Sequence, residues 1–360
     1  MNRKTRLMLL QWTYLMLTWL VLFYLYYILV YWGTGALYTN TILQSYIFSY
    51  KAHVEIFLAA FIFGLLFGII NSITEIKQIR HRSFTFIVFI KSILYIVAIL
   101  LVMLMIYSVF RALNIFPHDL IYSLQNISTY QLIISFSLYF IVCIILVNVV
   151  VQLDKKFGPG ELKKILSGKY HQPKEENRVF LFVDMKSSTT IAEKLGNKNY
   201  SRLIRQCFLD LSDLIIEHQA SIYQHVGDEI ILTWEKEKAF KKLNAINLFF
   251  SFSDKLQVKR AFYQNKFGVI PEFKAALHMG RIVVAETGDL KREIAYHGDV
   301  INTTARIEKQ CNVLNEKLLI SAIVKDNLSK LNGYNLKNHG EVNLKGKEST
   351  LNIYGVHRKI

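Results

Sequence analysis

Hydrophobic positions divide the chain into two parts of different character. The first part holds four nearly continuous apolar runs, at residues 9–32, 53–74, 84–110 and 131–153. Each run is long enough to span a bilayer, which takes roughly 20 residues. Four such runs in succession favour transmembrane helices over buried helices of a large soluble core. We therefore expect a membrane domain with four transmembrane helices over residues 1–153.

A polar segment follows the fourth run. Gly-Pro-Gly at residues 158–160 breaks any continuous helix, because proline lacks an N–H and glycine is flexible. Residues 161–167 then have the pattern of a short amphipathic helix. We expect residues 154–177 to form a linker, through which a membrane signal could pass or which could be a passive tether.

From residue 178 onward, short apolar strands alternate with amphipathic helices. The predicted strands lie at 179–183, 220–226, 229–234, 274–278, 282–286, 318–321, 341–344 and 351–356. The predicted helices lie at 189–217, 236–258 and 299–313. Two strand pairs are interrupted by Gly227-Asp228 and by Gly280, which predicts two hairpins. The order β-α-β-β-α-β, with additions, favours a ferredoxin-like α+β fold for residues 178–360.

The formal net charge of +16 could indicate nucleic-acid binding, but the positions of the basic residues favour another explanation. Many basic side chains flank one side of the predicted spans, where anionic lipid attracts them, and this makes nucleic acid an unfavoured partner. These residues are Arg3, Lys4, Arg6, Lys77, Arg80, Arg82, Lys155 and Lys156. The positive-inside rule then predicts a multi-pass protein of the inner or plasma membrane, with both termini and the second domain in the cytoplasm.

Two aspartates carry the first sign of chemistry. Asp184 ends an apolar strand, and Asp228 occupies a tight turn between two others. If these strands are neighbours, both carboxylates can bind the same divalent metals, and oxygen ligands suit Mg²⁺ or Mn²⁺ acting on a triphosphate. The alternative is that Asp184 caps the next helix and Asp228 only forms a turn.

Three further groups could contact a nucleotide. Ser187, Ser188 and Thr189 enter a helix whose backbone N–H groups suit phosphates, although such side chains also serve as caps. Asn302 and Arg306 are four residues apart and share one helix face, from which they could hold a ribose and a pentavalent phosphate. Lys345 lies near a glycine close to the C-terminus and could reach the terminal phosphates, or it could be an exposed lysine in a turn.

Together the segments FVDMKSST, VGDE, GDVINTTARIE and LKGK resemble, in this order, the class III adenylate/guanylate cyclase catalytic domain. The resemblance covers residues 178–356. It implies that Asp184 and Asp228 bind two Mg²⁺ or Mn²⁺ ions per active site. It also implies that Asn302 and Arg306 stabilise the transition state and that Lys345 binds the triphosphate. The family forms dimers with sites at the interface, which implies a homodimer with two equivalent sites.

Two positions depart from the pattern for base recognition, and one from that of the phosphate loop. Gln224 stands where the family usually has lysine or glutamate, and Ala295 stands where adenylate cyclases often have aspartate or threonine. An amide can both donate and accept, so Gln224 suits adenine or guanine. Ser187 replaces a usual glycine. The base therefore stays open, with ATP favoured as the commonest substrate of the family.

The sequence thus predicts a membrane-anchored nucleotidyl cyclase that makes a 3′,5′-cyclic nucleotide and pyrophosphate for intracellular signalling. Cyclisation of GTP or of a pyrimidine nucleotide is also compatible with the departures. An alternative is a non-catalytic membrane receptor whose cyclase-like domain only binds nucleotide or dimerises. A transporter or channel with a cytosolic regulatory domain is the third interpretation, and the scarcity of charges within the spans argues against it.

Overall fold

The structure is a computed structural model that describes residues 3–29, 48–74, 83–113, 127–157, 161–289, 293–328, 331–343 and 350–359. Contacts along the chain divide it into two compact units, Met1–Phe157 and Gly158–Ile360. The first unit is helical, and the second is a mixed α+β unit.

The first unit contains four helices that are long and apolar enough to cross a membrane. They are α1 (Arg3–Tyr27), α2 (Tyr50–Ile73), α3 (Phe84–Ala112) and α4 (Ile127–Phe157). Aromatic side chains fill the space between them, with Trp19, Phe63 and Phe140 almost fully buried. Many leucines, isoleucines and valines of these helices face outward. The prediction of four apolar helices is confirmed.

Polar side chains also lie inside this helical unit and connect three of its helices. The Lys91 ammonium donates to Asn71 Oδ1 at 2.7 Å, which joins α3 to α2. The Asn148 amide donates to the carbonyl of Val88 at 3.0 Å and to Ser92 Oγ at 3.2 Å, which joins α4 to α3. These hydrogen bonds give buried polar groups partners between the apolar helices.

The second unit is built on eight strands within the described residues. They are β1 (Lys174–Met185), β2 (Ser221–Val226), β3 (Glu229–Glu235), β4 (Phe273–Thr287), β5 (Glu293–His297), β6 (Leu318–Ser321), β7 (Tyr334–Val342) and β8 (Leu351–Arg358). The helices are α5 (Glu161–Leu166), α6 (Ser188–Glu217), α7 (Lys236–Phe240), α8 (Asn244–Val258), α9 (Arg260–Phe267), α10 (Asp299–Val313) and α11 (Ala322–Asp326). A 3₁₀ turn, Lys241–Leu243, separates α7 from α8.

These strands form one sheet in the order β2-β3-β1-β4-β6-β8-β7, and β5 pairs with β4. The central strand β1 is antiparallel to both β3 and β4, whereas β4 is parallel to β6. The first four strands and their connecting helices have the ferredoxin-like arrangement. The predicted fold class, four apolar helices followed by an α+β domain, is therefore confirmed.

The central strands of the sheet are buried on both faces, and β1 shows how its sequence achieves this. Val179, Leu181 and Val183 pack with side chains of α6, α8 and α9 on one face. Phe180 and Phe182 point the other way and pack against residues that include Val300 of α10. Because side chains alternate along a strand, a nearly continuous apolar run serves both faces.

The hairpin predicted at Gly280 is wrong, because β4 runs without interruption from Phe273 to Thr287. Gly280 has a different purpose. A Cβ atom at this position would lie 2.6 Å from Cγ2 of Val300, closer than real Cβ atoms approach. The glycine therefore allows α10 to pack close to β4. The hairpin at Gly227-Asp228 is present between β2 and β3.

The helix predicted at 236–258 is also wrong in part. The chain breaks between α7 and α8, where Lys242 and Leu243 have φ angles of 54° and 55°. No glycine or proline marks this break in the sequence. The predicted linker helix at 161–167 corresponds to α5.

Candidate active site

The two predicted metal-binding aspartates lie at the same edge of the sheet. Asp184 stands near the end of β1, and Asp228 lies in the turn between β2 and β3. Strands β1 and β3 are direct neighbours, with Val183 paired to Ile230. Their charges interact, since Asp228 contributes to raising the pKa of Asp184. The structure therefore brings the two carboxylates together, as the strand order requires.

A lysine and a glutamate that the sequence analysis missed adjoin Asp184. Lys274 of β4 is the register partner of Asp184 across the β1–β4 ladder. Its Nζ lies 3.3 Å from Asp184 Oδ2 and 2.6 Å from Glu308 Oε1 on α10. The side chains of Lys274 and Glu308 are only 7% and 6% exposed, so this ion pair is almost fully removed from water.

Negative charge dominates the site. Burial raises the pKa of Asp184, and with the charges of Glu308 and Asp228 adding to this and Lys274 opposing it, the pKa is about 6. Burial likewise raises the pKa of Glu229, beside Asp228, to about 7, with contributions from Asp184 and Glu308. Lys274 forms ion pairs with Asp184 and Glu308 but not with Asp228 or Glu229, so it compensates these four carboxylates only in part. Such a cluster favours a bound cation, because each additional positive charge relieves the mutual repulsion.

The donor set fits a hard divalent cation. Carboxylate oxygens are the groups available, and Mg²⁺ is usually held by one or two carboxylates together with substrate phosphates. Within the described parts of the chain, no group of three or more histidine, cysteine, aspartate or glutamate side chains is arranged to hold a metal unaided. The arrangement therefore suits a metal that arrives with a nucleotide better than an all-protein metal cage.

Asn302 and Arg306 stand on α10, directed away from their own sheet. The buried side of this helix includes Val300, Thr304 and Ile307. Asn302 is exposed and Arg306 is half-buried. Two residues along a helix correspond to a rotation of about 200°, so Arg306 and Glu308 project to opposite sides. Within one chain, α10 therefore directs Glu308 toward Lys274 and Asp184, and the Asn302/Arg306 pair faces elsewhere.

The three candidate phosphate-binding residues lie where β1 passes into α6. Ser187 precedes the helix with φ 54° and ψ 34°, the left-handed conformation in which glycine is favoured. Ser188 is half-buried, and Thr189 is exposed. Tyr200 of α6 also reaches this region: burial raises its pKa, as does the charge of Asp228, and its hydroxyl interacts with Ser188 and Asp228.

The two candidate base-recognition positions lie on β2 and β5. Gln224 is exposed on β2, and Ala295 is half-buried on β5. Their chain neighbours Tyr223 and Tyr296 meet with ring centroids 4.7 Å apart, and both rings contact Phe180 of β1. This aromatic cluster connects the two strands that carry the base-recognition candidates.

Lys345 lies outside the described residues, so its predicted phosphate contact has no structural account here. Three site residues escaped the sequence analysis, namely Lys274, Glu308 and Glu229. Glu229 directly follows Asp228, and its place beside the predicted turn was a usable signal in the sequence. Lys274 and Glu308 are far apart in the chain, and only strand register and helix packing bring them to Asp184.

The comparisons with known proteins concern the family and fold of the second unit. The sequence family described as "Adenylate and Guanylate cyclase catalytic domain" matches residues 170–358. Adenylate cyclase 2 of Rhizobium meliloti (strain 1021) is 35% identical over 173 residues, which are 48% of this chain and 48% of that protein. Adenylate cyclase 1 of the same organism is 23% identical over 181 residues, 49% of this chain and 27% of that protein.

These matches span about half of the first relative and about a quarter of the second. The structure of a bacterial light-regulated adenylyl cyclase superposes with a TM-score of 0.51 at 20% identity, covering 59% of this chain and 64% of that one. This likeness concerns the fold. With the family match extending over more than half of the sequence, the chain belongs to the adenylate and guanylate cyclase catalytic domain family.

Proposed function

We propose that this protein is a membrane-anchored nucleotidyl cyclase that converts a nucleoside triphosphate to its 3′,5′-cyclic monophosphate and pyrophosphate. The observation that carries the proposal is the convergence of Asp184 and Asp228 in a half-buried, strongly acidic cluster. Family membership supports it, because the matched segment contains the whole of this cluster.

The roles of the chain's own residues follow from their chemistry. Asp184 and Asp228 would hold two Mg²⁺ or Mn²⁺ ions, which supply a positive charge that activates the ribose 3′-hydroxyl and neutralises the triphosphate. Arg306 provides a fixed guanidinium for the charge that develops on the α-phosphate, and Asn302 orients the ribose. Backbone N–H groups after Ser187 suit the phosphates at the start of α6.

A homodimer with two shared sites accounts for the placement of these groups. Asp184 and Asp228 lie on the sheet of one chain, whereas Asn302 and Arg306 project from the opposite side of α10. A second copy related by a two-fold axis would present its Asn302/Arg306 face to the acidic cluster of the first. Each dimer then contains two equivalent sites, and each site uses both chains.

ATP is the favoured substrate. Two relatives that match this domain are named adenylate cyclases. The residues at positions 224 and 295 are not those that usually select adenine in the family. Cyclisation of GTP or of a pyrimidine nucleotide is therefore a second possibility, to be tested in the same assay as ATP. The neutral amide of Gln224 can donate to or accept from either purine.

The four apolar helices would anchor the enzyme in the inner or plasma membrane. The positive residues that flank them favour cytoplasmic termini, which places the catalytic domain where nucleoside triphosphates are available. We assign residues 1–153 to the membrane domain, 154–177 to the linker and 178–360 to the catalytic domain.

The test is a product assay on the full-length protein in detergent micelles or lipid vesicles. The protein is incubated with Mn²⁺ and separately with ATP, GTP, CTP and UTP, and cyclic monophosphates are separated by chromatography. We expect a cyclic product from ATP, and its loss in Asp184→Asn and Arg306→Ala. Asp213→Asn is the matched control, because Asp213 is a partly exposed aspartate of α6 outside the acidic cluster.

The wild-type assay also decides between the proposal and its alternative. A folded dimer that gives no cyclic product from any of the four nucleotides would refute the proposed cyclase activity. Binding of a nucleotide and Mn²⁺ without turnover would instead favour the non-catalytic receptor.

A further inference from the structure

The position of Lys274 has a consequence for catalysis that rests on the proposed function. Its side chain joins two elements of different predicted roles: β1, which carries Asp184, and α10, which carries Asn302 and Arg306. Two structural ion pairs elsewhere in this unit, Arg178 with Glu176 and Lys259 with Asp210, involve no candidate site residue. Lys274 differs from these two because one of its partners, Asp184, is a candidate metal ligand and the other, Glu308, lies on the helix that carries the candidate transition-state residues.

The geometry at Asp184 leaves room for a second ligand. Lys274 approaches Oδ2, and it is held more closely by Glu308, at 2.6 Å against 3.3 Å. Glu308 thus holds the Lys274 ammonium group away from Asp184, so that the ammonium group contacts Oδ2 and does not bridge both carboxylate oxygens. A carboxylate fixed through one oxygen retains the other for a cation, and such outer contacts orient metal ligands in proteins.

The same contact fixes α10 in relation to β1. Glu308 lies two residues after Arg306 on a helix, so a shift of Glu308 would displace Arg306 as well. Catalytic groups must be held within about 0.5 Å of their productive positions, and buried supporting contacts provide this precision. A lysine almost fully removed from water and bound to carboxylates on two elements meets that requirement.

We propose that Lys274 is a positioning residue that holds Asp184 through Oδ2 and anchors α10 through Glu308. In the proposed dimer, Asp184 of one chain serves one site while Asn302 and Arg306 of the same chain serve the other. Lys274 therefore connects, inside each chain, the metal-binding half of one site with the transition-state half of its twin.

The test measures Mn²⁺ binding without turnover, on the full-length protein. Free Mn²⁺ is followed by electron paramagnetic resonance, in the absence and presence of 3′-deoxy-ATP, which lacks the attacking hydroxyl. We expect Lys274→Gln to weaken Mn²⁺ binding by about 10- to 100-fold, the usual effect of losing an outer contact to a metal ligand, although it also removes a positive charge that repels the cation. Lys274→Arg keeps the charge and should retain most of the affinity.

Glu308→Gln provides an independent reading if Lys274→Gln folds poorly. Without the charge of Glu308, Lys274 moves toward Asp184 and competes with the cation, so Mn²⁺ binding weakens. The double variant should lose no more than the larger of the two single losses, because both side chains act through one contact. Losses that multiply would contradict this connection.

Lys259→Gln is the matched control for a merely structural role. It breaks the ion pair with the buried Asp210 on the other side of the sheet, so it should lower the unfolding temperature without changing Mn²⁺ affinity. Unchanged or tighter Mn²⁺ binding in folded Lys274→Gln, with an active wild type, would overturn the positioning role alone. A wild type that binds Mn²⁺ but makes no cyclic product would overturn the proposed cyclase activity alone. A wild type that binds no Mn²⁺ would overturn both the cyclase activity and the positioning role of Lys274.

Discussion

Mixing two inactive variants tests whether each site is shared between chains. Asp184→Ala removes the metal-binding half of a site, and Arg306→Ala removes the transition-state half. Each variant alone should lose about 100-fold or more of its activity, since one preorganised charged group contributes about that much. In a mixed dimer, one site receives both substitutions and the other receives neither.

The expected recovery follows from counting sites in a two-fold dimer. In an equal mixture about half of the dimers are mixed, and each has one intact site of two, so activity should reach about one quarter of the wild-type value. Mixed dimers purified through two different affinity tags should reach about one half. The assay is the chromatographic measurement of cyclic product from ATP with Mn²⁺.

A matched pairing shows that recovery depends on geometry. Asp184→Ala mixed with Asp228→Ala should give no recovery, because both substitutions damage the same half and every site in the mixed dimer carries one of them. Tandem-purified Asp184→Ala/Arg306→Ala dimers with no more activity than either variant alone would refute the shared site. They would indicate that each chain assembles its site within itself.

Three further predictions concern the catalytic unit, each measured on the full-length protein by unfolding followed through tryptophan fluorescence. Gly355→Ala should lower the free energy of unfolding by about 1–3 kcal/mol, because the new Cβ would lie 2.7 Å from the buried Glu316 carboxylate; a change below about 0.5 kcal/mol would contradict the close contact. Arg178→Met should cost about 2 kcal/mol, because Arg178 is 2% exposed and its loss leaves the Glu176 carboxylate, 2.7 Å away, without its guanidinium; Arg178→Lys should cost less, and equal losses would argue against a charge effect. Burial lowers the pKa of His218, so the folded protein favours the neutral ring. The resulting contribution to stability is present above the ordinary histidine pKa of about 6.5 and is lost as the pH falls below it. His218→Gln should therefore lose less stability on acidification than the wild type, and identical profiles of unfolding free energy against pH would contradict this.

Much of the fold could be predicted because it depends on local pattern. Continuous apolar runs identify the four helices of the first unit, and alternating strands and helices identify the second. The Gly227-Asp228 turn was also readable, since this pair is typical of hairpins. The same reasoning failed at Gly280, because a missing Cβ serves a turn and a close helix contact equally well. Sequence alone does not distinguish these two uses of glycine.

The candidate site divides in the same way. Asp184, Asp228, Asn302 and Arg306 stand in short segments whose residue types indicate their chemistry. Lys274 could not be found in this manner, because its importance depends on the β1–β4 register and on the packing of α10. The break at Lys242 and Leu243 was unreadable for a related reason. Non-glycine residues adopt positive φ there under tertiary constraint, which carries no compositional signal.

The left-handed backbone of Ser187 has a thermodynamic consequence for the loop at the start of α6. A residue with a Cβ pays about 1–2 kcal/mol for this conformation. Glycine would avoid that cost, but its greater freedom in the unfolded chain costs about 0.5–1 kcal/mol on folding. The second cost offsets about half of the first, so glycine should be the more stable residue here by less than about 1 kcal/mol. What also differs is the breadth of conformations open to the loop, which serine keeps narrower before any nucleotide arrives.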